Sequence, residues 1–394
     1  LVLGSAATAT GHDADEYVAI NGTGVVQKNY ADNTYTNNLF TYPIGDASFY
    51  SPLTTSISGT AVSANVKVKV TNAIQPNKAA TLPEATSYLT RYWNVDQTGF
   101  TSYSNILTGQ YNTSDDVVGT QSKIKGASFF SPNWSFAAAS NNVSTPSVTG
   151  TVTLDPVDFT GTDALNTVDI TAMMNGAIVG AGTSMSNDLQ NYFGGNTGLL
   201  PTTSPYGLPT STYAAINNPA GAAGQVVDWV KVEVRSASNP STILETRSLL
   251  VKPNGSIVDP NGKIPYFKES TTPVQLTVQH RNHLGIMSNS IPSFSAANVT
   301  YNFTTALSQA FNVGGDPAQL ILRNGKWAMI QGDVNMDLSV DGVDITLIKV
   351  SANAGTFDEY LASDINMDGS VDGVDVTLAK IAAAAGYYST LINF

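Results

Sequence analysis

The chain has 394 residues and a formal net charge of −12, from 18 Lys and Arg against 30 Asp and Glu. Its length suits two or three domains, and only 12% of its residues are charged, about half the ~25% usual in soluble globular proteins. Sparse, unclustered basic residues exclude a nucleic-acid partner. The lack of any apolar run of about 18 residues excludes a membrane-spanning helix. The absence of cysteine excludes disulfides, thiolate metal sites and cysteine nucleophiles.

From Leu1 to about Gly150 the signals are strands and turns. Asn65–Val70 (NVKVKV) alternates strictly, so Val66, Val68 and Val70 face a core while Lys67 and Lys69 face water. In Tyr42–Asp46 (YPIGD), Pro43 and Gly45 stand at turn positions. Arg91–Val95 (RYWNV) reads as a compact aromatic strand. Ser128–Phe136 reads as another, interrupted by Pro132. Such spacing, with almost no helical period, predicts a β-sandwich over residues 1–150.

A second β-module is expected over residues 151–330, with Thr151–Leu154 opening it or leading into it. In Asp228–Arg235, Val230, Val232 and Val234 point one way and Lys231, Glu233 and Arg235 the other. Val274–His280 is a second alternating strand. The Gly-, Pro- and Ala-rich stretch Gly198–Gly224 reads as a long surface loop. Asp155, Asp158, Asp163 and Asp169, near the junction of the modules, read as linker turns.

The third unit, residues 331–394, carries one acidic phrase twice, 31 positions apart: DVNMDLSVDGVD from Asp333 and DINMDGSVDGVD from Asp364. Loop positions 1, 3, 5, 7, 9 and 12 hold Asp333, Asn335, Asp337, Ser339, Asp341 and Asp344 in the first copy. In the second they hold Asp364, Asn366, Asp368, Ser370, Asp372 and Asp375. This is the EF-hand spacing for a hard cation, with the backbone carbonyl used at position 7 and Asp replacing Glu at position 12. Two calcium ions are expected. Magnesium suits the loops less, because it keeps its waters and fewer carboxylates. Position 6 needs a left-handed backbone, which Gly369 supplies freely. Leu338 occupies that position in the first loop at a cost of roughly 1–2 kcal/mol, so the second loop is expected to bind calcium more tightly. Each loop runs into a short helix. Val343, Leu347 and Val350 match Val374, Leu378 and Ile381, an apolar stripe on each helix, and the two stripes are expected to pack together.

This C-terminal unit resembles a dockerin: two loop-plus-helix repeats with Lys349 and Lys380 at matching helix positions. The resemblance covers about 55 residues. It implies two calcium ions and docking into a cohesin, and where many dockerins carry Ser-Thr recognition pairs this chain has Gly342-Val343 and Gly373-Val374. A calcium-locked structural cap is the alternative role expected of this unit. The expected fold class is thus mainly β: two β-sandwich-like domains followed by a small α-helical dockerin-like domain.

Roughly Val168–Asn335 resembles a module near the C-termini of surface and secreted proteins of Bacteroidetes-type bacteria. The phrases are GLLPTTSPYG (Gly198–Gly207), VDWVKVEVR (Val227–Arg235), SLLVKPNGSIVD (Ser248–Asp259) and HRNHLGIMS (His280–Ser288). YVAINGTGVVQKNY, YPIGDASFYSPLTTS and RYWNV look like β-repeats of the same surface proteins, many of which leave the cell by type IX secretion. The resemblance implies a place outside the cell and brings no catalytic residues. Low charge and loops of the type that needs roughly 10⁻⁴–10⁻³ M calcium point to the same place.

Other candidate chemistry has bland readings. His280 faces the core by alternation and His283 follows in the turn. The pair reads as hydrogen-bonded across a strand end, since zinc needs a third ligand and the remaining histidine, His12, lies in another domain. Trp93, Trp134, Trp229 and Trp327 read as core rather than as a sugar platform. Asn21, Asn112, Asn133 and Asn142 head glycosylation sequons that a Thr-rich chain produces by chance. The expected protein is a non-enzymatic extracellular structural subunit of a surface layer, fibre or appendage. Its apolar chain ends, LVLG and YYSTLINF, fold back or pair with a neighbouring copy by strand addition, giving a homo-oligomer or polymer. The alternative is a dockerin-type anchoring or carbohydrate-binding module, with a cohesin-like or glycan partner.

Overall fold

The computed structural model describes residues 1–78, 82, 85–131, 133–136, 141–163, 165–191, 198–207, 225–260, 262–268, 270, 272–291 and 299–394. The protein is mainly β with a small helical portion. It divides into two units, Leu1–Leu165 and Asn166–Phe394.

The spine of the first unit is a pair of 19-residue antiparallel strands, Leu53–Thr71 and Tyr92–Gln110, in register from Leu53 opposite Gly109 to Thr71 opposite Tyr92. NVKVKV and the YWNV part of RYWNV lie at the ends of these long strands, so Arg91–Val95 is not the compact element its sequence predicts. Pairing slips between Ser58 and Thr60 and again between Ala61 and Asn65. Gly59, Ser63, Gly99 and Ser102 have positive φ there. Such bulges bend a strand and shift its side-chain parity. Leu53, Thr55 and Ile57 are buried before the bend and Ala64, Val66, Val68 and Val70 after it. The shift from odd to even positions lets both halves of the spine face one core. Asn33–Tyr42 and Ser147–Val152 flank one half, Val26–Asn29 and Val157–Asp163 the other. Tyr42, Leu53 and Ile57 share a cluster with Val26, Val68, Trp93 and Phe159. One folded sheet thereby makes a β-sandwich.

Several local readings are corrected here. Thr151 and Val152 belong to a strand of this first sheet and open nothing new. Asp158, Asp163 and Asp169 lie in strands rather than linker turns, where Asp158 accepts hydrogen bonds from Gln75 and Asn94 and Asp163 from Thr86 and Ser87. Gly45 sits in a two-residue strand. The turn follows at Asp46, whose Oδ1 accepts the amides of Ser48 and Phe49. Of the Gly198–Gly224 stretch, everything after Gly207 lies outside the described residues, as does Pro132.

In the second unit an eight-stranded sheet has Asp228–Ser236 between Asn239–Val251 and Val274–His280. Val230, Val232 and Val234 are buried as the alternation predicts. The opposite face is covered as well: Glu233 and Arg235 are buried and joined by an ion pair of 2.6 Å. Trp93, Trp134 and Trp229 are buried and Trp327 packs against the second core.

The chain then enters two helices, Gly342–Ala354 and Gly373–Ala384, around a small core of Val334, Ile348, Ile365, Val371 and Ala379. The expected helix interface is overturned. Val343, Leu347 and Val350 are exposed, as are Val374 and Ile381, while Leu378 is half-buried. The helices instead turn Asp344, Ile348 and Asp375, Ala379, Ala382 inward. The reason is the loop: its last aspartate, at the third helical position, must face the loop, and that sets the rotation of the whole helix.

Gly99 lies at the bend of the spine with φ +82°, and a Cβ there would sit 2.5 Å from Val62 O and 2.9 Å from Ala64 Cα. Gly99→Ala should destabilise the first unit by roughly 1–3 kcal/mol, read as a shifted urea midpoint.

Candidate metal centre

The twelve sequence-predicted ligand positions form two closed rings. At the end of the first, Asp344 Oδ1 accepts the amides of Val334 (2.9 Å) and Asn335 (3.3 Å), while Oδ2 accepts the amide of Asp341 (2.9 Å). Asp341 Oδ1 in turn accepts the amide of Val343 at 2.7 Å. Positions 9 and 12 are thus also the N-cap and third residue of the helix, a reciprocal capping box. The second ring repeats this: Asp375 Oδ1 accepts Ile365 N (2.8 Å) and Asn366 N (3.2 Å), Oδ2 accepts Asp372 N (2.9 Å), and Asp372 caps Val374 N (2.6 Å).

Position 1 organises the other end. Asp333 accepts the amides of Asp337 and Leu338, and Asp364 those of Asp368 and Gly369. At position 6 both Leu338 (φ +74°) and Gly369 (φ +86°) are left-handed. Only Leu338 carries a Cβ into that strained region. Position 3 bonds position 5, Asn335 Nδ2 to Asp337 at 2.8 Å and Asn366 Nδ2 to Asp368 at 2.7 Å. Ser339 and Ser370, at position 7, donate their amides to Asp337 and Asp368.

The 31-residue pseudo-symmetry continues past the helices, where Gly355 and Gly386 are both left-handed (φ +66° and +68°). The segment after each helix pairs with the opposite loop. Val340 N bonds Tyr387 O and Ser389 N bonds Leu338 O, while Val371 N bonds Thr356 O and Asp358 N bonds Gly369 O.

Electrostatics set the character of both rings. Burial, with Asp344 and Asp337 close by, raises Asp333 to about 7. Burial likewise raises Asp364 to about 7, with Asp375 and Asp368 adding and the Arg281 charge opposing. Burial also raises Asp344 and Asp375 above the usual carboxylate range. Among the described residues no three His, Cys, Asp or Glu side chains converge at metal distance; the carboxylates rest on backbone amides instead. The donors are nonetheless all oxygen, the inner carboxylates are buried, and their like charges lack a counter-ion within the first ring. That chemistry fits a hard cation.

A seam that the sequence reading did not anticipate joins the second ring to the β-sheet. Asp228 accepts His280 Nε2 (3.1 Å), Arg281 Nε (2.9 Å) and Tyr360 OH (2.6 Å). Arg281 also donates to Leu361 O, and Asn282 Nδ2 donates to Asp364 O at 2.6 Å. Arg281 and His280 hold Asp228 well below the usual carboxylate range although burial opposes them. Gly176 N donates to His283 Nε2 (3.1 Å), so neutral His283 carries its proton on Nδ1, facing Asn282 Oδ1 (2.7 Å) and His280 Nδ1 (3.1 Å). His280 then carries its proton on Nε2, toward Asp228. Burial lowers both histidines. They are wired, neutral core groups. The only sequence signal for this seam was the unusual concentration of polar groups in HRNH.

No family model and no curated protein matches the chain. Among solved structures it is similar to two type II cohesin–X-dockerin complexes from Acetivibrio cellulolyticus. The complex mutated at its N-terminal interface matches at 17% identity and TM-score 0.26, over 46% of this chain and 91% of that one. The complex mutated at its C-terminal interface matches at 14% identity and TM-score 0.29, over 57% and 98%. At such TM-scores neither likeness defines the fold of this chain.

Calorimetry should find the second loop the tighter calcium site, with Asp368→Ala abolishing the stronger event and Asp337→Ala the weaker. In EGTA the pH dependence follows from Asp333 and Asp364. Each keeps its proton up to about pH 7 when folded, against a usual value of 3.8. The metal-free unit therefore loses stability as pH rises through 7 and gains it as pH falls toward 4. Its melting temperature in EGTA should be higher at pH 5 than at pH 8, and calcium affinity should fall over the same acidification as protons compete for the two carboxylates.

Proposed function

We propose that this chain is a non-catalytic, calcium-dependent docking protein of a bacterial extracellular assembly. Asp333, Asn335, Asp337, Ser339, Asp341 and Asp344 would hold one calcium ion, and Asp364, Asn366, Asp368, Ser370, Asp372 and Asp375 a second. Bound calcium supplies the positive charge that the buried carboxylates lack. Binding would draw Asn335 off Asp337 and Asn366 off Asp368, and so stiffen the start of each helix.

The observation that carries this reading is the pair of outward stripes. Val343, Leu347 and Val350 on one helix, and Val374 and Ile381 on the other, form pseudo-symmetric apolar rows that stand exposed among the described residues (Val350 is 63% exposed, Ile381 58%). Beside them a groove of about 750 Å³ opens between the helices, lined by Lys349, Val376, Lys380 and exposed Phe357. Exposed apolar rows with polar and charged margins mark protein-docking faces. A β-sandwich partner of the cohesin type matches the dockerin-like repeat, and a glycan partner fits apolar rows less well. Among the described residues no helix is long and apolar enough to cross a membrane.

A second reading, assembly of copies, has one observation in its favour. Val2–Leu3 is an outermost strand of its sheet, and Leu1 and Val2 are exposed, which leaves an edge open to strand addition. The C-terminal segment behaves otherwise: it folds back on its own unit, with Leu391 buried and Ser389 bonded to Gly285 O.

A cohesin panel should capture the protein in millimolar calcium and release it in EGTA. Leu347→Asp with Ile381→Asp should reduce capture at least tenfold without lowering the melting temperature, because both positions face solvent. Growth of light scattering with protein concentration in calcium, unaffected by that double variant, would favour the second reading.

A further inference from the structure

The two calcium loops are nearly identical in sequence, yet the fold embeds them unequally. Met336 and Met367 both occupy loop position 4. Met336 is 43% exposed, whereas Met367 is 1% exposed and belongs to the main core of the β-module. Asn335 and Asp337 of the first loop are exposed, while Asn366 and Asp368 are half-buried. Asn282 bonds the backbone carbonyl of Asp364, the first ligand position of the second loop. Arg281, fixed by Asp228 and lying 4.3 Å from the centroid of the Tyr360 ring, bonds Leu361 O just before that loop. Gly176 leaves no room for a side chain against Ile365 O. The first loop meets the strands through Val340, at position 8, which clusters with Leu284 and Ile330, and through the backbone just before it, where Gly332 N bonds Asn282 O.

We propose that the second loop is a metal-dependent keystone of the β-module: calcium binding at Asp364–Asp375 and packing of the Asp228–Ser236, Val274–His280 and His283–Met287 strands form one linked equilibrium, and Arg281 and Asn282 are the positioning residues that couple them. This rests on the calcium reading above and goes beyond it. The physical reason is shared surface. Loosening the second loop withdraws Met367 from a core and strips hydrogen bonds from a buried Asp228–Arg281 pair, and such a pair is costly to leave half-made. Loosening the first loop uncovers Asp333, Val334 and Val340 but withdraws no side chain from the main core of the β-module. The first ion therefore serves mainly its own helix, and the second serves the unit.

The test is hydrogen exchange on the full chain in calcium or in EGTA, with calorimetry alongside. At calcium 100 times the dissociation constant, amides of Val274–His280 and His283–Met287 that exchange when these strands open together with the second loop should slow by about 100-fold. Asp368→Ala should remove most of that slowing and Asp337→Ala should leave most of it. Both carboxylates bond only within their own loops, so neither change touches the strands directly. Asn282→Ala, which alters no loop side chain, removes the bonds to Asp364 O and from His283 Nδ1; loss of the first should weaken the second calcium site about tenfold and spare the first site. If calcium binds but strand exchange is unchanged, or if the two loop variants act equally, or if Asn282→Ala spares both sites or weakens both alike, the coupling is overturned. If calorimetry finds no calcium binding to the wild-type chain, the calcium reading itself has failed and the coupling falls with it.

Discussion

Asp344 and Asp375 each satisfy two demands at one point. One carboxylate oxygen closes a twelve-residue ring on the amides of its second and third residues, and the other caps the helix that follows. Helix starts favour an acidic side chain because their amides are unpaired and the local dipole is positive. The ring, however, brings that aspartate beside another buried one at position 1. The result is a pair of like charges that backbone amides hold in place but do not neutralise. Much of the C-terminal architecture follows from this constraint. It fixes the helix rotation, sends the small residues Ala379 and Ala382 inward, and leaves the valine, leucine and isoleucine stripes facing water.

The unequal setting of two matching loops shows how environment turns repetition into division of labour. The second ring lies against Arg281, Asn282 and the β-module core, and its Asp364 feels a nearby cation. The first ring is more open and carries the strained Leu338. Both differences act in the same structural direction, toward a second loop that is the better anchored. The fixed charge of Arg281 acts against a bound cation, yet it also restrains the loop in its closed form. Preorganisation of that kind lowers the ordering cost of binding.

The β-units supply rigidity by distinct means. In the first, two long strands cross from one half of a sandwich to the other without a break in the chain, so no flexible linker separates the halves. In the second, polar groups inside the sheet are joined in networks: Glu233 with Arg235, and the hydrogen-bond chain from Gly176 through His283 and His280 to Asp228. Hydrogen-bonded networks of this sort favour one packing arrangement. They leave the histidines as structural groups, sealed from solvent.

Local chemistry was legible in the sequence wherever it depends on spacing along the chain. Alternation placed Val66, Val68 and Val70, and Val230, Val232 and Val234, in cores, and the 31-residue repeat located both loops, their left-handed sixth positions and the helices that follow. Tertiary structure alone decided the rest. The helix stripes predicted to be buried are exposed because the aspartate at the third helical position, not the hydrophobic period, sets the rotation. The alternating phrases Asn65–Val70 and Arg91–Val95 showed only the ends of the spine strands, because the bulges at Gly59 and Gly99 interrupt the alternation farther along. That Asn282, Arg281 and Met367 meet at one loop could not be read from the chain, since 82 residues separate Asn282 from Asp364 and no local pattern encodes which distant surfaces will share a core.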